Sequence, residues 1–342
     1  MTSISVTAAP APPAPPAAVR RRRRVTGRIW LLPVALIFAY LYACMFLGGP
    51  FIAFDHENYI NFLDAPYPFF FEPGYTAVAY AINVLFPDEA RFPAAFTFFT
   101  LPPLLLVLRE GARERDGRAL MVFGCVLVKA FYIGYITQRF FFAELWAAAL
   151  VIQRGPDERR LSWRLLLPGM IHFSALTIVP GLLWLRSRFS VGKTALGCAV
   201  LFAFWFYVRV VSGFQLFGYD YSRYLDQEGA GGFPFFTVIE MVALAAICWL
   251  VVPRGKSANY VAFAGLLLLL KIIFGDIEVF SRIFQIEIDL LMVMAGLHAR
   301  RRRALLFLFG LGFFVLQAAF TSTAAEMIVY HATAVANVLR AL

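Results

Sequence analysis

Between residues 28 and 340 the chain keeps returning to one pattern: an apolar run, a short polar loop, then another apolar run. Several of these runs reach the ~20 residues that a helix needs to cross about 30 Å of hydrocarbon. Inside lipid every backbone N–H and C=O must find a partner within the protein, which only helices and closed barrels achieve. A barrel would show short alternating segments, not long apolar runs. The sequence therefore specifies an all-α polytopic membrane protein with about 10–12 membrane helices, short and re-entrant half-helices among them. Composition agrees, since 61% of the 342 residues are hydrophobic and only 15% are charged. A soluble domain is nearer half apolar and about a quarter charged. Cys44, Cys125, Cys198 and Cys248 all lie in apolar stretches without paired spacing, and read as small core residues.

The basic excess is a topological signal. A net charge of +10, from 31 basic and 21 acidic residues, would suit a nucleic-acid binder, but the arginines gather in short loops between apolar runs. That is the distribution of the positive-inside rule, and nucleic acid is not an expected partner. Residues 1–27 form a tail, Ala/Pro-rich over 1–19 and ending in the arginine run Arg20–Arg24. Such a tail cannot bury a core and is expected to be disordered, with its arginines fixing the N-terminus in the cytoplasm against anionic lipid. Residues 28–48 exceed a signal-peptide core and precede no small-residue cleavage site, so they read as an uncleaved anchor. Residues 28–342 are then one polytopic domain, with outer loops at 49–73 and 213–234.

Charge parity decides the ambiguous segments. Residues 74–87 are too short to cross comfortably, and 92–108 end in the basic loop Arg109–Arg118. Both facts fit an interfacial or re-entrant helix at 74–87. Residues 119–136 exit and 139–153 return to Arg154–Arg160. Residues 162–185 run from that basic loop to another, Arg186–Arg188, so the segment must be a hairpin of half-helices, for which Pro168 and Pro180 are suitable breaks. Its outer apex falls near His172. Residues 194–212, 235–252, 258–275 and 281–298 cross in alternation, and two further apolar segments, 304–322 and 325–340, complete the chain.

Function then concentrates on one side. The inner loops are basic and plain, whereas the outer side carries Asp55, Tyr59, Glu72, Gln138, Arg139, His172, Tyr219, Asp220, Arg223 and Arg282. Arg139 and His172 lie within or at the ends of segments otherwise fit for lipid, where a charge is expensive and usually serves a function. The plainer alternatives are a snorkelling arginine for Arg139 and an interhelical hydrogen bond for His172. Asp55 and Glu72 also suit helix starts, and Tyr219–Tyr224 also suits an interfacial belt. Taken together, rings that stack on sugars and arginines that hold phosphate in bidentate fashion match a sugar–phosphate ligand.

Five short motifs occur in order: Asp55-x-x-x-Tyr59, Glu72-Pro-Gly-Tyr75, Gln138-Arg139-x-x-x-Ala143, His172-Phe-Ser-Ala-Leu176 and an Arg-Ile-x-x-Ile sequence from Arg282. In this order and at these spacings, across residues 28–300, the chain resembles the EpsG family of bacterial membrane polysaccharide polymerases. That family is similar in role to O-antigen polymerases and, more distantly, to GT-C glycosyltransferases. The resemblance implies transfer of a growing glycan from one polyprenyl pyrophosphate to a sugar hydroxyl of another lipid-linked repeat unit. The reaction would take place at the outer face of the bacterial inner membrane, alongside a flippase and a chain-length regulator. Such chemistry needs cations for the leaving pyrophosphate and a base for the acceptor hydroxyl. Arg139, Arg282 and Arg223 would serve the first need. His172 or Asp55 would serve the second, with Glu72, Tyr59, Gln138, Tyr219 and Asp220 lining the substrate. No cofactor is expected, and no Asp-x-Asp or His/Cys cluster suggests a metal. The competing functions are a flippase or transporter of lipid-linked sugars and a glycosyltransferase that uses polyprenyl-phosphate sugars.

Overall fold

A computed structural model describes residues 31–46, 72–113, 118–136, 138–158, 162–213, 215–216, 219–220, 235–275 and 278–299, with scattered helical residues between 305 and 340. The tail 1–27, the first outer loop up to residue 71 and residues 221–234 of the second lie outside the described residues.

The described residues are helical almost throughout. Helix α1 spans Leu31–Phe46, α2 Pro73–Leu85, α3 Asp88–Arg113, α4 Arg118–Ile136 and α5 Gln138–Arg154. A broken stretch follows: a 3-10 turn over Trp163–Leu166, α6 over Leu167–Ile171, a second 3-10 turn over Phe173–Thr177 and α7 over Ile178–Arg186. Then come α8, Val191–Phe206, which ends in a π-turn over Tyr207–Val211, and α9, Phe235–Val251. Helices α10, Arg254–Phe274, and α11, Glu278–His298, follow. Between α8 and α9 the pairs Gln215–Leu216 (β1) and Tyr219–Asp220 (β2) form a minimal antiparallel hairpin. Among the described residues three segments meet the length and hydropathy of a crossing on their own: Ala90–Arg113, Val191–Val211 and Arg254–Phe274.

Helices α5 and α11 are the centre of the bundle. From Phe140 to Ile152 every side chain of α5 but Trp146 is buried, and from Ile286 to His298 every side chain of α11 is buried. A helix enclosed on all sides needs no polar face. The small run Ala147–Ala149 lets neighbouring backbones approach closely, the usual device where lipid offers no hydrophobic drive to association. Helices α3, α4 and α11 pack directly on α5, and α11 also meets α4, α7, α9 and α10. Helix α8 has no buried residue and leans on α10, as expected of a helix facing lipid.

The two short segments behave as charge parity requires. Helix α2 has 13 residues, about 20 Å at 1.5 Å per residue, well short of a bilayer. The segment 162–186 is not one crossing helix, and its opening 3-10 turn packs against its closing helix α7. Both of its flanks return to the same end of the bundle. There Arg186 donates to the Gly155 carbonyl at 3.2 Å, and Asn259 donates to the Trp184 and Ser187 carbonyls at 2.7 and 3.1 Å. Lys256 bonds Asp157 and lies 3.4 Å from His298 Nε2, while Arg118 donates to the Leu297 carbonyl at 2.9 Å. The loops that the sequence assigns to the cytoplasm therefore meet at one end. The starts of α5 and α11 mark the other.

Candidate functional site

At that other end, side chains from four distant parts of the chain converge. Glu72 begins the arrangement. Pro73 opens α2, a position that suits its fixed φ, and it disfavours a helical conformation for the residue before it. Glu72 adopts the left-handed conformation, φ 49° and ψ 61°, the only non-glycine residue with positive φ among the described residues. Such a conformation is uncommon outside glycine, and it persists where the surroundings hold it. Its carbonyl accepts from Thr76 N–H at 3.0 Å, whereas its side chain makes no cap bond to its own helix. The carboxylate instead turns inward and is only 8% exposed.

Arg139, in the first turn of α5, meets it. Its Nη1 donates to Glu72 Oε2 at 2.7 Å, and its guanidinium lies over the Tyr75 ring, 5.6 Å from the centroid. The other carboxylate oxygen, Oε1, accepts from the Phe173 N–H at 3.4 Å and lies 3.8 Å from His172 Nε2. Burial pushes the Glu72 carboxyl above the ordinary carboxylate range, with Arg139, the Phe173 N–H and Arg282 opposing that push.

His172 stands at the break of the hairpin in extended backbone, φ −145° and ψ 122°. Its Nδ1 accepts from the Ser174 N–H at 3.3 Å, and its ring meets Phe140 edge-on with centroids 5.3 Å apart. Arg282, early in α11, brings Nη1 to 3.4 Å from His172 Nε2. Close packing holds the parts in register: a Cβ on Gly74 would sit 2.8 Å from that of Met170, so α2 touches α6 directly. The result is a small, largely buried cluster of two guanidiniums, one carboxylate and one imidazole. With neutral histidine it carries a net positive charge, and Arg139, with 36% of its side chain exposed, is far more open than Glu72 or His172, each at 8%.

The structure thus brings together Glu72, Arg139, His172 and Arg282. Gln138 is adjacent in the backbone of α5, and Tyr219 and Asp220 form β2, with all three side chains outside the described residues. Asp55, Tyr59 and Arg223 lie outside the described residues altogether. Three buried carboxylates escaped the sequence reading: Glu144 on α5, and Glu287 and Asp289 on α11, each no more than 4% exposed. Glu144 and Asp289 line a small cavity with Ala148, Ile178 and Val293. Their signal was available, because an acidic residue inside an apolar run is as costly as an arginine.

A model of the EpsG family matches residues 33–332, most of the chain and all four members of the cluster. No curated protein and no solved structure matches it.

Proposed function

Because the chain belongs to the EpsG family, whose members suggest a polysaccharide polymerase-like role, we propose that it polymerises lipid-linked oligosaccharide repeat units. The donor is a glycan on polyprenyl pyrophosphate, and the acceptor is a sugar hydroxyl of a second lipid-linked unit. The C1–oxygen bond to pyrophosphate breaks, a glycosidic bond forms, and polyprenyl pyrophosphate leaves. The observation that carries this reading is the convergence of Glu72, Arg139, His172 and Arg282 from four segments, with Arg139 hydrogen-bonded to Glu72 at 2.7 Å and Arg282 Nη1 3.4 Å from His172 Nε2.

Two guanidiniums around one carboxylate suit a pyrophosphate, which they neutralise with oriented N–H donors and without titrating. Arg139 and Arg282 therefore stabilise the charge that develops on the leaving group, the kind of preorganised electrostatic help that transfer reactions depend on. This supply of positive charge makes a metal unnecessary. Arg223 adds to the phosphate-holding charge, and Tyr59, Gln138, Tyr219 and Asp220 hold the glycans around that centre. The cluster faces the outside, the basic loops and the N-terminal tail 1–27 face the cytoplasm, and residues 28–342 work as one domain beside a flippase and a chain-length regulator.

The test is polymer formation in cells carrying Arg139→Ala, His172→Ala or Asp55→Asn, each matched for expression. The expected result is loss of polymer with single lipid-linked repeat units accumulating on the outer leaflet. Accumulation on the inner leaflet would make the protein a transporter. Normal polymer from all three variants would overturn the site.

A further inference from the structure

We infer that Glu72 is the general base of the transfer, kept masked by Arg139 until a pyrophosphate draws the guanidinium away. This rests on the polymerase reading above and assigns within it the proton-accepting role that sequence motifs leave to His172 or Asp55.

The geometry around His172 argues against the histidine. The Ser174 N–H donates toward Nδ1 at 3.3 Å, and Arg282 Nη1, which can only donate, lies 3.4 Å from Nε2. Nε2 is the nitrogen that faces the cluster, and it lies 3.8 Å from Glu72 Oε1. A lone pair on Nε2 is occupied by Arg282, and a proton on Nε2 leaves no lone pair there, so in either tautomer the ring offers nothing to accept the hydroxyl proton with. Taking up a second proton would create an imidazolium beside Arg282 and near Arg139.

Glu72 has the opposite character. It is the one carboxylate in the cluster, and Oε2 is bound to the group best placed to leave it. Arg139 is 36% exposed while Glu72 is 8% exposed, so an arriving pyrophosphate meets the arginine first. A pyrophosphate carries more negative charge than a carboxylate and competes for the same fork of donors. Once Arg139 turns to it, Glu72 keeps the 3.4 Å bond from the Phe173 N–H and the more distant charge of Arg282 in a nearly closed pocket. A desolvated carboxylate with a lost counter-charge binds protons more avidly. Masking has a second use: no base is exposed when the donor is absent. In the transfer, the acceptor oxygen forms its bond to C1, its proton passes to Glu72, and the C1–oxygen electron pair leaves with polyprenyl pyrophosphate. Glu72 later returns the proton to water.

The experiment uses full-length protein in proteoliposomes. Turnover is measured with lipid-linked repeat units extracted from cells lacking the polymerase, and binding is measured with polyprenyl pyrophosphate alone. Glu72→Gln is expected to bind polyprenyl pyrophosphate as tightly as wild type or more tightly, since Arg139 loses its competitor. Its turnover should fall by about 10²-fold or more, the usual contribution of a general base. Added formate should restore part of the activity of Glu72→Ala, and the acid limb of the wild-type pH profile should vanish in Glu72→Gln. Loss of binding in parallel with turnover would make Glu72 a positioning residue and overturn the assignment. So would an acid limb that survives in Glu72→Gln but disappears in Asp55→Asn. Wild-type polymer formation with equal turnover by Glu72→Gln overturns the base alone. Wild-type protein that binds polyprenyl pyrophosphate and makes no polymer overturns the polymerase reading, and the base with it.

Discussion

Replacing Arg139 by methionine separates what the Glu72–Arg139 pair does for the fold from what it does for the reaction. The substitution keeps most of the side chain's length and removes the 2.7 Å bond to Glu72 together with the cation over Tyr75. It strands a carboxylate that is 8% exposed. Breaking a fully buried ion pair costs about 3–5 kcal/mol, chiefly because the surviving charge is left uncompensated. Arg139 is 36% exposed, so water reaches one side of the pair, and Arg282 and the Phe173 N–H still act on Glu72. Screening of this kind reduces the cost to about 2 kcal/mol. At about 2.1 cal/mol/K of unfolding entropy per residue, that amounts to about 3 °C in the thermal midpoint of a 342-residue chain. Adding Glu72→Gln removes the stranded charge, and the Arg139→Met/Glu72→Gln double variant should recover at least half of the lost midpoint while forming no polymer. The assay is thermal unfolding of detergent-purified protein, run beside polymer measurement in cells. A double variant no more stable than Arg139→Met alone would refute the argument, because the two side chains would then not be coupled.

Two further outcomes test the framework around the cluster. In Gly74→Ala the new Cβ would meet the Met170 Cβ at 2.8 Å and its carbonyl oxygen at 3.1 Å. Relieving that overlap pushes α2 off the hairpin and should cost about 1–3 kcal/mol, with polymer formation falling alongside the thermal midpoint; unchanged polymer would mean that this close approach does not set the site. At the opposite end, the hydrogen bond from Lys256 holds the Asp157 carboxyl below its ordinary value of 3.8. A depressed carboxyl contributes stability above that ordinary value and loses it as pH falls through its folded value. Asp157→Asn should therefore flatten the acid limb of a stability profile and leave polymer formation intact, whereas lost polymer would tie the inner loops to the chemistry.

Much of the architecture was legible because lipid leaves few options. The expected segments 119–136, 139–153, 235–252 and 281–298 differ from α4, α5, α9 and α11 by at most three residues at any boundary. The hairpin was legible from arginines alone: two basic loops flanking 162–185 demanded a return, and Arg186 does meet Gly155. The site was legible as residue types, since Glu72, Arg139, His172 and Arg282 each stood out as costly or motif-bound. Their pairing was not. Glu72 and Arg139 are 67 residues apart, and what joins them is a left-handed turn at a non-glycine residue and the contact of Gly74 with Met170. Neither leaves a periodic trace. The carboxylates Glu144, Glu287 and Asp289 were passed over for a different reason: the runs containing them still satisfied the length and polarity of plain crossings.

The break in the hairpin does more than turn the chain. A helix running unbroken through 167–186 would commit the Phe173 and Ser174 N–H groups to carbonyls one turn earlier. At the break they are orphan donors that need other acceptors, as at any helix start. Here one binds Glu72 Oε1 and the other binds His172 Nδ1. The same interruption that lets residues 162–186 return to their starting end thus anchors the carboxylate and holds the imidazole ring with Nε2 facing Arg282. Irregular backbone at membrane depth is tolerated where it is enclosed by protein or lines a cavity. This break is enclosed by α2, α5 and α11, the helices that deliver Glu72, Arg139 and Arg282. The cost of breaking the helix and the geometry of the cluster are therefore one feature of the fold, and neither can be altered without the other.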